Sequence, residues 1–318
     1  MRAVAVMTVA ALAAAPSVYG QGYPNKPIRL VVGFTPGGGV DINARMLAPK
    51  LTEYLGQQII VENRPGAGTN IANEYVAKAS PDGYTLLINT AALVINMALY
   101  SKLNYDATRD FAGISIFSIS PNIMVVHSSV PVRSVKELVA LARSKPGALN
   151  YSSAGVGTTQ HLSGELFNVR NKVKMVHVPY RGTAPSLTAL IGGEVDLSFA
   201  NIPAIHAHVV SGRLRPLAST GSKRAERLPQ VPTMREAGVD MEVVVWYAVF
   251  APKATPRDVI VKLSEAINRA SRSPDVRQRL LEMGGEPAGN TPAELDKLVQ
   301  AERAQWAEIV RLSGAKAE

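Results

Sequence analysis

Ile28-Arg29-Leu30-Val31-Val32-Gly33-Phe34-Thr35-Pro36-Gly37-Gly38-Gly39-Val40-Asp41 is the stretch whose reading decides the fold. Apolar positions at Ile42, Met46, Leu47, Leu51, Tyr54 and Leu55 follow it at helical spacing. A short apolar strand thus runs into a glycine turn that opens a helix. Three consecutive glycines let a backbone approach a ligand with no Cβ in the way. The amides of the turn and of the first helical turn lack carbonyl partners and form an anion cradle. Asp41 is placed to act as the helix N-cap. A plain strand-to-helix turn that needs glycine for its dihedrals is the competing reading.

Working outward, the 318 residues are 47% apolar and 19% charged, enough for a globular chain with two cores. Residues 1–20 stand apart. Arg2 precedes an alanine-rich apolar run, Ala3 to Ala15, which ends in small residues. This pattern predicts a secretory signal peptide, too short to span a membrane. Without cysteine there are no disulfides, thiol chemistry or cysteine metal sites. The net charge is +9, and loss of Arg2 with the leader leaves 33 basic against 25 acidic residues. The basic residues are scattered and not interleaved with aromatics, so the charge predicts attraction of anions rather than nucleic-acid binding.

Further strands are expected at Gln58–Asn63 and Tyr84–Ile88, with a helix from Ile71 to Ala79 between them. A β-α-β-α-β order builds a parallel sheet whose ligands sit outside the carboxyl ends of the strands. Those ends are Gly33–Asp41, Arg64–Asn70 and Asn89–Thr90. Two more strands, Phe111–Ser120 and Ile123–His127, are expected to break at Pro121. A second α/β rhythm follows. It carries another glycine turn at a helix start, Ser153-Ala154-Gly155-Val156-Gly157-Thr158-Thr159-Gln160-His161. The strand Lys174–Val178 then leads into Pro179-Tyr180-Arg181-Gly182. An apolar strand at Val243–Phe250 and three helices form the tail, with Thr291 capping the last. The predicted architecture is α/β with two lobes. Residues 21–121 plus 243–318 form lobe 1, and 122–242 form lobe 2. The two chain crossings leave a hinge and a cleft between lobes, and the tail helices are expected to pack on lobe 1.

The chain resembles the extracytoplasmic receptors of the tripartite tricarboxylate transporters, also called the Bug family. The resemblance rests on Tyr23-Pro24-x-Lys26-Pro27-Ile28, Gly33-Phe34-x-Pro36-Gly37-Gly38 and Val61-Glu62-Asn63-Arg64-Pro65-Gly66-Ala67-Gly68. It continues through Pro81-Asp82-Gly83-Tyr84, Gly155-x-Gly157-Thr158 with His161-Leu162, Val178-Pro179-Tyr180-Arg181-Gly182 and Gly192-Gly193-x-Val195-Asp196. The family implies a type II periplasmic-binding-protein fold that closes on a small carboxylate. It further implies a monomer in the periplasm that serves integral-membrane transporter subunits, with no cofactor or metal. The ligand loops of the family match Phe34, Thr35, Pro36, Gly37, Gly38, Gly39 and Asp41 in one lobe. They match Ser153, Ala154, Gly155, Gly157, Thr158, Thr159 and His161 in the other. Asn89, Thr90, Tyr180, Arg181 and Asn201 complete the expected lining. Two departures stand out. Thr35 replaces a common proline, and Ala200-Asn201 follows Leu197-Ser198-Phe199 where the family often carries an acid. With Asn201 there instead, the case for an amino-acid ligand weakens modestly. Which carboxylate binds has no side-chain signature.

The rival readings are a secreted α/β hydrolase and a ligand sensor for signalling. No Gly-x-Ser-x-Gly elbow, Walker lysine or complete dinucleotide fingerprint is present. His161 reads either as a cleft residue or as a satisfied core histidine. Arg181 either reaches the cleft or ties its own turn. His206 and His208 point to different helix faces, and Trp246 and Tyr247 read as core. Gly37, Gly38, Gly155 and Gly157 are expected to hold backbone conformations closed to branched side chains.

Overall fold

The computed structural model describes residues 22–317. The expected signal peptide, 1–20, lies outside the described residues. The predicted opening is present. β1 (Ile28–Val32), α1 (Gly39–Leu55), β2 (Ile59–Asn63), α2 (Asn70–Ala77) and β3 (Thr85–Asn89) follow in order. β1 is central and parallel to both β2 and β3. Four of its five residues are buried, the near-continuous apolar run that a sheet covered on both faces demands. A short 3₁₀ turn, Ala67–Thr69, precedes α2.

Helix α3 (Ala92–Leu99) has no counterpart in the sequence reading. Most of its residues are buried, so it carries no polar stripe and shows no amphipathic period.

β4 (Phe111–His127) is one strand of 17 residues, not two broken at Pro121. It pairs with β9 (Val244–Pro252) from Phe111 to Pro121. From Asn122 to Val126 it pairs with β7 (Leu197–Asn201), and from Ile123 to His127 with β8 (Leu214–Ser219). Proline has no N–H to donate to a ladder, and Pro121 falls where β4 changes partners. Thr220 fastens the changeover. Its hydroxyl accepts from the Asn122 amide (3.0 Å) and donates to the Val243 carbonyl (2.6 Å).

The second rhythm comprises α4 (Val135–Ser144), β5 (Asn150–Ser153), α5 (Thr159–Asn171), β6 (Val176–Pro179), α6 (Thr183–Ile191), β7, α7 (Ile202–Val210) and β8. The strand order is β2-β1-β3-β9-β4-β7-β5-β6, with β8 also on β4. The tail is α8 (Arg257–Arg272), α9 (Pro274–Glu282), a two-residue β10 (Glu286–Pro287) on β4, and α10 (Pro292–Ser313).

α8 buries Val259, Ile260, Leu263, Ile267 and Ala270 against the first sheet. Each large aliphatic side chain there contributes about 1.5–3 kcal/mol. α10 carries the predicted Thr291 cap, here a full capping box with Glu294. It packs on α3 and also on α5, so the tail is not confined to the first sheet. One apolar cluster therefore runs from Val31 through Met124 and Tyr151 to Trp306.

Candidate functional site

The first cradle is built at the start of α1. The N-cap is Gly38, with φ −80° and ψ 169°, and not Asp41. That extended conformation also corrects the expectation of a special backbone at Gly38; Gly37 holds it instead, at φ +81°. Asp41 is the third helical residue and only 2% exposed. Its carboxylate accepts from the Gly37 amide (2.9 Å), Asn63 Nδ2 (2.9 Å) and Arg45 Nε (3.0 Å). Burial alone would raise its pKa, but the bonds from Arg45, Gly37 and Asn63 outweigh it and hold the carboxyl below its ordinary value. Asp41 thus fastens the turn from behind instead of meeting a ligand. The amides of Gly38, Gly39 and Val40 have no hydrogen-bond partner among the described residues.

The second cradle, at the start of α5, follows the same logic with other groups. The Thr158 hydroxyl caps the helix, accepting from the His161 amide (3.3 Å) and donating to the Gly155 carbonyl (2.8 Å). The Ala154 amide donates to Gln160 Oε1 (2.7 Å) and the Gly155 amide to Ser153 Oγ (3.1 Å). The Gly157 amide donates to His161 Nδ1 (3.3 Å). The amides of Thr159 and Gln160 have no partner among the described residues.

These two helix starts face one inner cavity of about 60 Å³. Phe34, Thr35, Gly38, Gly39 and Val40 wall it on one side. Ala154, Thr158, Thr159, Gln160, Gly182 and Thr183 wall it on the other. Thr90, Asn122, Asn201, Val245 and Tyr247 close it. No acidic or basic side chain lines it. The sequence reading missed Asn122, Gln160, Thr183 and Tyr247. Asn122 and Asn201 sit opposite each other on β4 and β7. Asn122 is 2% exposed and its Nδ2 has no partner among the described residues. Such a buried, unpaired donor costs about 1–3 kcal/mol, which an acceptor placed in the cavity would offset. Trp246 and Tyr247 both lie in the core as expected, but alternation along β9 sends them to opposite sides. Trp246 donates to Glu302 Oε1 (2.8 Å) in one cluster, while Tyr247 packs in the other and brings its hydroxyl end to the cavity.

A larger outer cavity, about 530 Å³, adjoins the inner one across Phe34, Thr35, Ala154, Thr158 and Gly182. Residues 65–69, Gly155, Tyr180 and Arg181 also line it. Arg181 therefore faces the outer space and not the anion cradles.

Several expected contacts lie elsewhere. Pro36 is exposed and lines neither cavity. Asn89 is fully buried and donates to Asn73 Oδ1 (2.8 Å) in a polar network that continues to Thr69 and Tyr105. Gly157, at φ +81°, presses its Cα toward Asn96 Oδ1, an oxygen without a hydrogen-bond partner among the described residues.

Ser153 and His161 are buried beneath the loop. Ser153 Oγ lies 2.6 Å from His177 Nε2, and the two imidazoles stack with centroids 4.0 Å apart. Ser153 is nonetheless fully buried, and its hydroxyl is engaged with Gly155, so the pair positions the loop. Burial lowers the His161 pKa to about 4; burial, then the neighbouring His161, lowers that of His177 to about 3.

Comparison with known proteins agrees with this geometry. A family model described as "Tripartite tricarboxylate transporter family receptor" matches residues 43–314. Protein BugT of Bordetella pertussis is 36% identical over 297 residues, spanning 92% of this chain and 91% of its own. An R. palustris protein solved with adipate superposes with a TM-score of 0.86 at 38% identity, covering 92% of this chain and 99% of its own. MatC from Rhodopseudomonas palustris, solved with bound malate, gives 0.84 at 33% identity, over 91% and 100%. Among the described residues, no helix is long and apolar enough to cross a membrane.

Proposed function

The chain belongs to the tripartite tricarboxylate transporter receptor family, also called the Bug family, and from that premise we propose that it captures a small carboxylate between two lobes for delivery to a membrane transporter. The observation that carries this reading is the pair of helix N-termini facing one cavity that no acidic or basic side chain lines. Free amides at Gly38, Gly39 and Val40 on one side, and at Thr159 and Gln160 on the other, match the oxygens of a carboxylate. Each charge-assisted hydrogen bond contributes about 1.5–3 kcal/mol, so no arginine is required. Asn122 Nδ2 supplies a further donor. The adipate and malate bound to similar proteins support the ligand class.

In this reading residues 21–121 with 243–318 form one lobe and 122–242 the other. They hinge at the Pro121 changeover of β4 and at the start of β9. Export by the leader places the receptor in the periplasm. Its action is binding without turnover, and it works as a monomer.

A thermal-shift and calorimetry screen of mono-, di- and tricarboxylates, aromatic acids, neutral sugars and cations tests the reading. A saturable shift by acids alone, with the acid recovered unchanged, supports it. Stabilisation by sugars or cations only would refute it.

A further inference from the structure

We infer that the bound acid carries an apolar body, aliphatic or aromatic, which extends past Tyr247 into an annex walled by Ile42, Ile119, Leu280 and Met283. This rests on the carboxylate reading and goes beyond it by naming what the rest of the ligand is. The annex is a cavity of about 210 Å³. It shares Gly38, Gly39, Thr183, Asn201 and Tyr247 with the inner cavity, so a molecule held at the α1 N-terminus has continuous space to enter it.

Two of its polar side chains, Asn43 and Ser118, are spent on one another and on the backbone. Asn43 Nδ2 donates to the Gly39 carbonyl (2.8 Å), and Asn43 Oδ1 accepts from the Ser118 hydroxyl (2.6 Å). The Gly38 and Gly39 amides, Thr183, Asn201 and Tyr247 lie on the side shared with the inner cavity, and the rest of the wall is mostly hydrocarbon. Ile42, Ile119 and Met283 are each only half-buried, although they line a concave wall. Apolar surface left wet inside a cleft gains most from an apolar occupant. α9 brings Leu280 and Met283 to this place. The turn after it is seated on α7, where the Gly284 backbone lies against Ile202 with no room for a Cβ. The annex wall is therefore formed where the tail packs against α7.

The test is calorimetry on the mature protein with acetate, butyrate, hexanoate, benzoate and malate. Affinity should rise about fourfold per buried methylene from acetate to hexanoate. Hexanoate and benzoate should each bind more tightly than malate, whose body is polar. Met283→Gln should lower hexanoate affinity at least fivefold more than acetate affinity. Ile42→Thr, on the facing wall, should do the same, and thermal melts report whether each variant is folded. A flat series in which acetate still binds would overturn the annex and leave the carboxylate reading standing. Malate binding more tightly than hexanoate would overturn it too. A full gradient that both folded variants retain would show the hydrocarbon lying elsewhere. If none of the acids binds, the carboxylate reading fails together with the annex.

Discussion

Gly39→Ala is the sharpest test of how closely α1 approaches the cavity. Residue 39 is the first helical position, where alanine is by itself about 0.8–1.0 kcal/mol more favourable than glycine. A merely structural turn would tolerate or welcome the change. The structure predicts otherwise for binding. A Cβ at 39 would lie 2.7 Å from the Tyr247 hydroxyl and 3.4 Å from Asn201 Nδ2. Tyr247 is 6% exposed and cannot swing aside freely. Forcing that contact costs about 1–3 kcal/mol of overpacking. Part of the strain is relieved by displacing the Gly39 amide from the cavity. The strain falls on the fold with or without ligand and, less the gain in helix propensity, should lower the melting temperature by several degrees at most. Loss of the amide's charge-assisted hydrogen bond, about 1.5–3 kcal/mol, should lower carboxylate affinity about tenfold to 150-fold. Adding Tyr247→Phe removes the obstructing oxygen and should recover much of the loss. Calorimetry and thermal melts on the single and double variants make the cycle. Undiminished affinity in Gly39→Ala, or no recovery in the double variant, would refute the placement of Tyr247 against the helix start.

Three further outcomes concern two groups behind the cradles and one cap in the tail. Asp41→Asn should destabilise the chain by about 1–3 kcal/mol and weaken binding, since the charged acceptor for Gly37, Asn63 and Arg45 is lost; because the folded pKa is depressed, the wild-type advantage should be full above about pH 4 and vanish as pH falls through the lower folded value, as urea titrations of both proteins would reveal. The buried histidines act in a higher window: the unfolded chain takes up protons near pH 6.5, so stability should decline as pH drops from there toward the folded values of about 4 and about 3, by about 1.4 kcal/mol per unit per histidine, and His177→Asn should show the shallower slope. Thr291→Ala should lower the melting temperature by a few degrees, through loss of a cap contributing about 1 kcal/mol, while calorimetry finds ligand affinity intact.

What the sequence made legible was local. The strand, turn and helix around residues 28–55 are contiguous, and their periodicities sit undisturbed in the chain. Thr158 and Asp41 were assigned to the ligand because hydroxyls and carboxylates near a helix start serve either ligand or cap. Only the geometry shows Asp41 turned back onto its own loop, while Thr158 both caps its helix and lines the cavity. Asn89 and Thr90 end the same strand, but the pleat sends one into a polar network and the other to the cavity. Asn122 and Tyr247 carry no local signal. Tyr247 reaches the site because β4 and β9 pair across more than a hundred residues of chain, and Asn122 because β4 runs on to pair with β7. Helix α3 escaped detection since a segment buried on all sides lacks the contrast on which periodicity depends.

The unbroken course of β4 has a mechanical consequence. Its backbone is paired on one side of Pro121 with β9 and on the other with β7 and β8, with register shifts at Gly113/Ser115, Ile116/Ser118 and Met124/Val125. Bending at the Pro121 changeover must then be absorbed elastically, as added twist shared with the irregularities on either side. No unpaired loop exists within β4 to swivel. Amide protons of Ile119, Ser120 and Asn122 to Val126, on either side of Pro121, should accordingly exchange slowly with and without ligand, and any closure should proceed without melting the strand.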